Sequence, residues 1–116
     1  MGLECVNHSQ LRYTCFRQNT TINSVDLRNT PWMNDTVYNG MSMAFENCTN
    51  LKAVYNINNS VANMAWAFTG CTSLMTAPIL PTNVKTLYET FYGCNKIEDA
   101  PTIPNGVMDI SITTDA

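Results

Sequence analysis

The sequence predicts a repeat solenoid of the α/β type, in which 23-residue coils carry short parallel strands on one side and short helical turns on the other. Three observations lead to this prediction. Apolar residues recur three times in one register, Phe and Cys recur within that register, and most positions between them are Asn, Thr, Ser, Gly, Pro or charged residues. A period of about 20 to 50 residues is typical of solenoids, because one copy cannot bury its apolar face alone.

Three regular copies of the repeat span residues 41–110. Seven apolar columns stay in register across the copies, and their residues are expected to form a ladder in the core of the solenoid. Three of these columns contain Phe45, Phe68 and Phe91, then Cys48, Cys71 and Cys94, then Leu51, Leu74 and Ile97. Stacking buries each copy against its neighbours, so stability becomes a sum over adjacent coils.

Each copy divides into a strand side and a turn side. Prolines exclude helix after the Leu column, so short strands are predicted at residues 52–55, 75–77 and 98–100. Apolar spacings of three and four, as in residues 61–71, predict one or two helical turns. Gly70 and Gly93 stand where those turns end and are predicted to be left-handed. Asn47 stands at the same position in the first copy.

The two ends of the chain depart from the repeat. Residues 1–21 fit no copy and are predicted to form an N-terminal cap over the first coil. Residues 22–40 are interpreted as an irregular first coil, with Ile22 in the Phe column and Val25 in the Cys column. Residues 111–116 are predicted to be a tail or a makeshift C-terminal cap.

Composition excludes some classes of partner. Charged residues make up 13% of the chain and its net charge is -3, so it lacks the basic surface that nucleic acid requires. No apolar run approaches the roughly 18 residues of a membrane span, so membrane insertion is not expected. The first residues form neither the basic nor the apolar part of a secretory signal, so a chain that begins here is expected to stay unexported.

The five cysteines do not form a metal-binding or catalytic pattern. Three of them occupy one apolar column, where a small buried thiol is the simplest interpretation. Cys5 and Cys15 lie outside that column, and the sequence leaves open whether they pair. The chain has no phosphate-binding loop, no nucleophile motif and no metal-ligand spacing. It is therefore predicted to be no enzyme and to need no cofactor or metal.

Two segments resemble the BspA-like class of leucine-rich repeats. They are A-F-T-G-C-T-S-L at residues 67–74 and A-P-T-I-P-N-G-V at residues 100–107. The resemblance covers residues 41–110 and extends less clearly over residues 22–40. It implies a leucine-rich repeat solenoid that binds or scaffolds other molecules without catalytic residues, and its motif is made of core positions.

The resemblance also implies where such a protein works. Similar repeats occur in bacterial and protozoan surface proteins and in tail, fibre and other structural proteins of phages. Without a secretory signal, the chain is expected to be a virion protein, assembled in the host cytoplasm, that binds a neighbouring virion protein or a host surface. The alternative is a fragment of a cell-surface adhesin, which the five Asn-x-Ser/Thr sequences would suit.

Aromatic residues between the ladder positions are the candidates for binding. Trp66 aligns with Met43 and Glu89, and Tyr92 aligns with Glu46 and Thr69, so both are expected to face solvent. Tyr55 and Tyr88 are candidates on the same argument. Exposed aromatic side chains suit the recognition of a protein or a glycan.

A second expectation concerns the last coil, whose edge should be covered by a protein partner, by another subunit, or by residues 108–115 folding back.

Overall fold

The computed structural model describes residues 16–28 and 41–108. Strand β1 (Ser24–Asp26) and strand β2 (Ala53–Tyr55) form a parallel pair, with Val25 opposite Val54. A further parallel bridge joins Asn63 to Thr86. The described part of the chain therefore consists of stacked coils with little regular secondary structure.

Phenylalanine side chains form the axis of the stack. Phe16, Phe45, Phe68 and Phe91 follow one another with ring centroids 5.2, 5.5 and 5.6 Å apart. In the last two pairs the rings are almost parallel, with angles of 2° and 4° between their planes. All four rings are buried, so each coil adds one ring to a continuous core. The Cys column, Leu51 and Leu74 are buried as well, whereas Ile97 is partly exposed. The prediction of a buried ladder is not met throughout the other columns, because Ile57, Ala77 and Val107 are partly exposed and Ala100 and Ile103 are exposed.

The turn side, comprising residues 41–48, 64–71 and 87–94, contains no helix. The prediction of helical turns is not met there, because Met43, Trp66 and Glu89 have φ values of 61°, 59° and 49°. A left-handed residue in each copy prevents the repeated α-helical bond from N–H to the carbonyl four residues earlier. Successive turns are closed instead over three residues, as from Ala44 N–H to the carbonyl of Met41.

The backbone groups that a helix would use instead join one coil to the next. On the turn side, every second N–H donates to the carbonyl 22 residues further along. In the first regular coil these bonds run from Met41 to Asn63, Met43 to Ala65, Phe45 to Ala67 and Asn47 to Thr69, at 2.7 to 3.2 Å. The next coil repeats them from Met64, Trp66, Phe68 and Gly70. Backbone N–H groups on the turn side are thus satisfied alternately by bonds within a coil and by bonds between coils.

Left-handed residues close each turn as predicted. Gly70 and Gly93 have φ values of 77° and 80°, and Asn47 has a φ of 61°.

The strand side agrees only in part with the prediction, because β2 is the one predicted strand that forms among the described residues. Pro78 and Pro101 stand 23 and 46 residues after Tyr55, and proline has no N–H to donate to a strand ladder.

The first coil has a different register from the predicted one. Val25 pairs with Val54, and Phe16 stacks on Phe45, so both spacings are 29 residues rather than 23. The placement of Ile22 in the Phe column and Val25 in the Cys column is therefore wrong. Because Phe16 and Val25 are as far apart as Phe45 and Val54, the six additional residues lie after β1.

Several predictions concern residues outside the described ranges. The larger part of the N-terminal cap, the C-terminal tail, and the pairing of Cys5 with Cys15 lie there. The division into a cap of residues 1–21, a first coil of residues 22–40 and a tail of residues 111–116 stays a prediction.

Candidate interaction surface

The strand side carries two adjacent grooves. We call residues 52–56, 75–80 and 98–102, together with Asp26 and Arg28, the strand-side surface. Its N-terminal groove, of about 660 Å³, is lined by Asp26, Arg28 and residues 52–56 and 76–79. Its C-terminal groove, of about 570 Å³, is lined chiefly by residues 75–80 and 98–102. Both volumes fall within the range of pockets that hold a ligand or a few side chains.

Ile79 forms the ridge between the two grooves. It lines both of them, and 92% of its surface is exposed. Met75 and Tyr55, at 56% and 55% exposed, extend the apolar surface on the strand side. Pro78 directly precedes Ile79, and the residues at the equivalent position in the neighbouring coils are Asn56 and Thr102. An isoleucine left in water forgoes about 1.5 to 3 kcal/mol of burial, which a partner covering it would recover.

The charges of the strand-side surface are divided between the grooves. In the N-terminal groove Arg28 forms an ion pair with Asp26 at 3.0 Å, and the Asn56 amide donates to the Asp26 carboxylate at 2.9 Å. The bond from Asn56 and the backbone N–H of Arg28 lower the pKa of Asp26. Lys52 forms no ion pair with any described residue. The C-terminal groove holds Glu98 and Asp99, which likewise have no ion-pair partner among the described residues.

The aromatic residues predicted to bind lie in two places. Trp66 and Tyr88 contact each other edge to face, with ring centroids 5.3 Å apart, on the turn side. Trp66 is partly buried, whereas Tyr88 and Tyr92 are 36% and 46% exposed. Neither groove is lined by these three residues, and of the four candidates Tyr55 alone lines one. A binding role for all four stays a prediction.

Sequence reasoning missed the residues that shape the grooves. Ile79 and Met75 were not singled out, although each is an apolar residue in a column that is otherwise polar or charged. The column of Ile79 otherwise contains Asn56 and Thr102, and the column of Met75 otherwise contains Lys52 and Glu98. Such a break in the pattern was the available signal. The predicted binding residues were restricted to aromatic side chains outside the ladder, so they did not include these two aliphatic ones.

The cysteine column is buried and its thiols are free. Each thiol donates to the carbonyl of the Phe one coil earlier: Cys48 to Phe16 at 2.9 Å, Cys71 to Phe45 at 3.1 Å and Cys94 to Phe68 at 2.9 Å. Burial raises the pKa of Cys48 to about 11, and the Cys94 thiol together with burial raises the pKa of Cys71. With raised pKa values, the Cys48 and Cys71 thiols stay protonated at neutral pH and suit a structural role rather than nucleophilic chemistry. The hydrogen bond from the Cys71 thiol instead lowers the pKa of Cys94.

Alkaline pH should weaken the folded state through Cys48. Its pKa rises from an ordinary value of 9.0 to about 11 on folding, so below pH 9 the thiol is neutral in both states and its contribution is complete. As the pH rises from about 9 through 11, the unfolded chain loses the proton more readily and stability falls. In urea unfolding measured between pH 8 and 11, the free energy of unfolding of Cys48→Ala should fall less steeply with pH than that of the wild type. Equal pH dependence of the two proteins would contradict this account.

Two further findings bear on possible chemistry. Within residues 16–28 and 41–108, no group of three His, Cys, Asp or Glu side chains could hold a metal ion. Across the same ranges no helix is long and apolar enough to cross a membrane. That the protein is no enzyme and needs no cofactor stays a prediction.

Stacked coils, joined by parallel backbone bonds and filled in each regular copy by one Phe, one Cys and one Leu or Ile, define a leucine-rich repeat protein. The family model of the BspA type leucine rich repeat region, which comprises six copies, matches residues 9–114. The chain belongs to this family. Its repeats generally mediate protein–protein interaction and are typically not enzymatic.

Among solved structures, the chain is similar to a leucine-rich repeat protein from Bacteroides ovatus. The two share 29% sequence identity with a TM-score of 0.62, over 82% of this chain. The chain spans 23% of the length of that protein. No curated protein matches the chain.

Proposed function

We propose that this chain is a non-enzymatic protein-interaction module that binds its partner through the strand-side surface. The observation that carries the proposal is Ile79, an almost fully exposed apolar ridge with a groove on each side. Binding energy in protein interfaces is concentrated in a few central apolar or aromatic residues surrounded by polar ones. Ile79, Met75 and Tyr55, set among charged and amide side chains, have that arrangement.

The last described coil offers a second surface for the same role. Ile103 is 37% exposed, and Ile97 and Val107 are partly exposed, whereas the equivalent Leu80, Leu74 and Val84 are buried. Among the described residues, no carbonyl accepts from the N–H groups of Leu87, Glu89, Phe91 and Gly93. This supports covering of the C-terminal edge by a protein partner or a second copy. A strict monomer in size-exclusion chromatography with light scattering would rule out the second copy.

Two settings suit such a module, and we propose them as alternatives. One is a phage virion, where the chain would bind a neighbouring virion protein or a protein or glycan of the host surface. The other is the cell surface, as part of a BspA-like adhesin. Mass spectrometry of purified virions and of proteins shaved from intact cells separates them, because the chain should be recovered from one preparation and be absent from the other.

Replacing Ile79 should weaken binding of the native partner. The partner is first identified by placing a photo-crosslinking amino acid at position 79 in the native assembly, and is then purified. We expect Ile79→Asp to weaken its affinity at least tenfold, since a central contact contributes about 2 kcal/mol or more. The affinity is measured by isothermal titration calorimetry.

Thr49→Asp is the control for this experiment, because Thr49 is exposed, lines neither groove and lies outside the last described coil. Its affinity should stay within twofold of the wild type. Equal loss in both variants, or none in Ile79→Asp, would refute binding at this surface. The double variant Trp66→Ala with Tyr92→Ala tests the turn-side aromatics in the same assay, and unchanged binding would remove them as candidates.

A further inference from the structure

We infer that the strand-side surface binds an extended protein segment that crosses the coils and carries the pattern acidic, any residue, apolar, any residue, basic. The acidic side chain would lie over Lys52, the apolar one against Met75 and Ile79, and the basic one over Glu98. This inference rests on the proposed function, because it names the kind of partner that the same surface recognises.

The three positions form one row across the solenoid. Lys52, Met75 and Glu98 each follow a residue of the Leu column. That column is held in the same way in every coil, by a bond from its N–H to the carbonyl of the Cys three residues earlier. These bonds measure 3.1 Å for Leu51, 3.2 Å for Leu74 and 3.3 Å for Ile97. The row therefore reads basic, apolar, acidic along the stack.

The spacing of the row fits every second residue of an extended chain. The Phe ring centroids of neighbouring coils are 5.5 to 5.6 Å apart, and paired parallel strands such as β1 and β2 lie about 4.8 Å apart. An extended chain rises about 3.3 Å per residue and places alternate side chains on one face, about 6.6 Å apart. The long, flexible side chains of Lys52 and Glu98 can take up the difference of about 1 to 2 Å per coil. The two grooves beside Ile79 leave room for the side chains of the segment.

The charges on the row are available to a partner. Lys52, Glu98 and Asp99 are exposed, and none of them forms an ion pair within the described residues. The other charges of the N-terminal groove, Asp26 and Arg28, neutralise each other. The surface is thus positive at one end and negative at the other, with an apolar centre. Such a surface favours a segment of complementary polarity and disfavours a polyanion, which Glu98 and Asp99 would repel.

Peptides of defined charge test this inference with the whole protein. The probes are Asp-Thr-Leu-Thr-Lys, Asp-Thr-Leu-Thr-Asp and Lys-Thr-Leu-Thr-Lys, each flanked by Gly and Ser, titrated into ¹⁵N-labelled protein and followed by NMR. We expect the first to bind about fivefold to tenfold more tightly than the other two at low salt, since each exposed ion pair contributes modestly. Its largest shifts should fall at residues 52, 75, 79 and 98.

Charge variants of the row provide the matched controls. Lys52→Glu should transfer the preference to the peptide with two Lys residues. The combined change Lys52→Glu with Glu98→Lys should restore the preference for the mixed peptide, which then binds in the reverse direction. Each variant's own NMR spectrum shows whether it is folded.

Equal binding of all three peptides, or no shifts at the row, would overturn the inference. A native partner whose affinity falls with Ile79→Asp but is unchanged by Lys52→Glu and Glu98→Lys would also overturn it while leaving the proposed function intact. Insensitivity to Ile79→Asp would instead refute the proposed function.

Discussion

Replacing Phe68 by alanine should lower the free energy of unfolding by about 3 to 5 kcal/mol. The ring is fully buried between Phe45 and Phe91, with centroid distances of 5.5 and 5.6 Å, so its removal leaves a cavity in the middle of the stack. It also separates the coils on either side, and neither can bury its apolar face without the other. Urea unfolding followed by circular dichroism measures the loss.

Tyr92→Ala is the control for this prediction, since it removes a ring of similar size that is 46% exposed in the neighbouring coil. We expect it to cost less than about 1 kcal/mol. If Phe68→Ala does not fold at all, Phe68→Leu keeps most of the volume and should show an intermediate loss. A Phe68→Ala protein as stable as Tyr92→Ala would show that the aromatic stack does not hold the coils together.

Alanine at three glycines should destabilise the fold in a graded order. Gly93→Ala should cost about 1 to 2 kcal/mol, because φ is 80° there while an added Cβ would meet only ordinary contacts, at 3.5 Å from Gly70. Gly70→Ala should cost more, about 2 to 3 kcal/mol, because φ is 77° and the Cβ would also overlap the amide oxygen of Asn47. Thermal unfolding of the three variants gives the order.

Gly106→Ala is the matched control, since its φ is not in the left-handed range and the added Cβ would meet only the end of the Lys85 side chain, at 3.0 Å. It should change stability by less than about 0.5 kcal/mol. Adding Asn47→Gly to Gly70→Ala should restore part of the loss, because it removes the overlapping amide and suits the left-handed φ of 61° at residue 47. Three equal losses would contradict the explanation by backbone conformation.

Much of the fold follows from the sequence, because the core columns are chemically distinct from their surroundings. Phe68, Cys71 and Leu74 recur in kind one coil before and one coil after, and a period that persists specifies which residues stack. The left-handed positions at Gly70 and Gly93 were equally predictable, since glycine carries a conformational signal of its own.

The errors arose where residue type carries no such signal. Met43, Trp66 and Glu89 are left-handed, yet nothing in these residue types indicates it, so the spacing of three and four suggested helix. The actual bonding satisfies the same backbone groups between coils, which a pattern within one coil cannot reveal. The first coil was misaligned because its 29-residue spacing breaks the period on which the prediction depended.

The candidate surface was harder to predict than the fold. Tyr55 was found from its type, whereas Ile79 resembles any other core residue when the sequence is inspected. Its exposure follows from its place after Pro78 and outside every ladder column, so it becomes recognisable only once the coils are aligned on one another. Candidate binding residues on a repeat protein are therefore best sought at positions where one copy differs in residue type from the equivalent positions of the other copies.

The three buried thiols can serve as chemical reporters of how this repeat protein opens. Cys48, Cys71 and Cys94 are equally buried, one in each of three consecutive coils. Each thiol donates a hydrogen bond to a Phe carbonyl in the preceding coil. A thiol reagent can modify such a residue only when its own coil opens. The order in which the three are labelled would therefore show whether the array frays from one end or opens as a single unit, without any engineered probe.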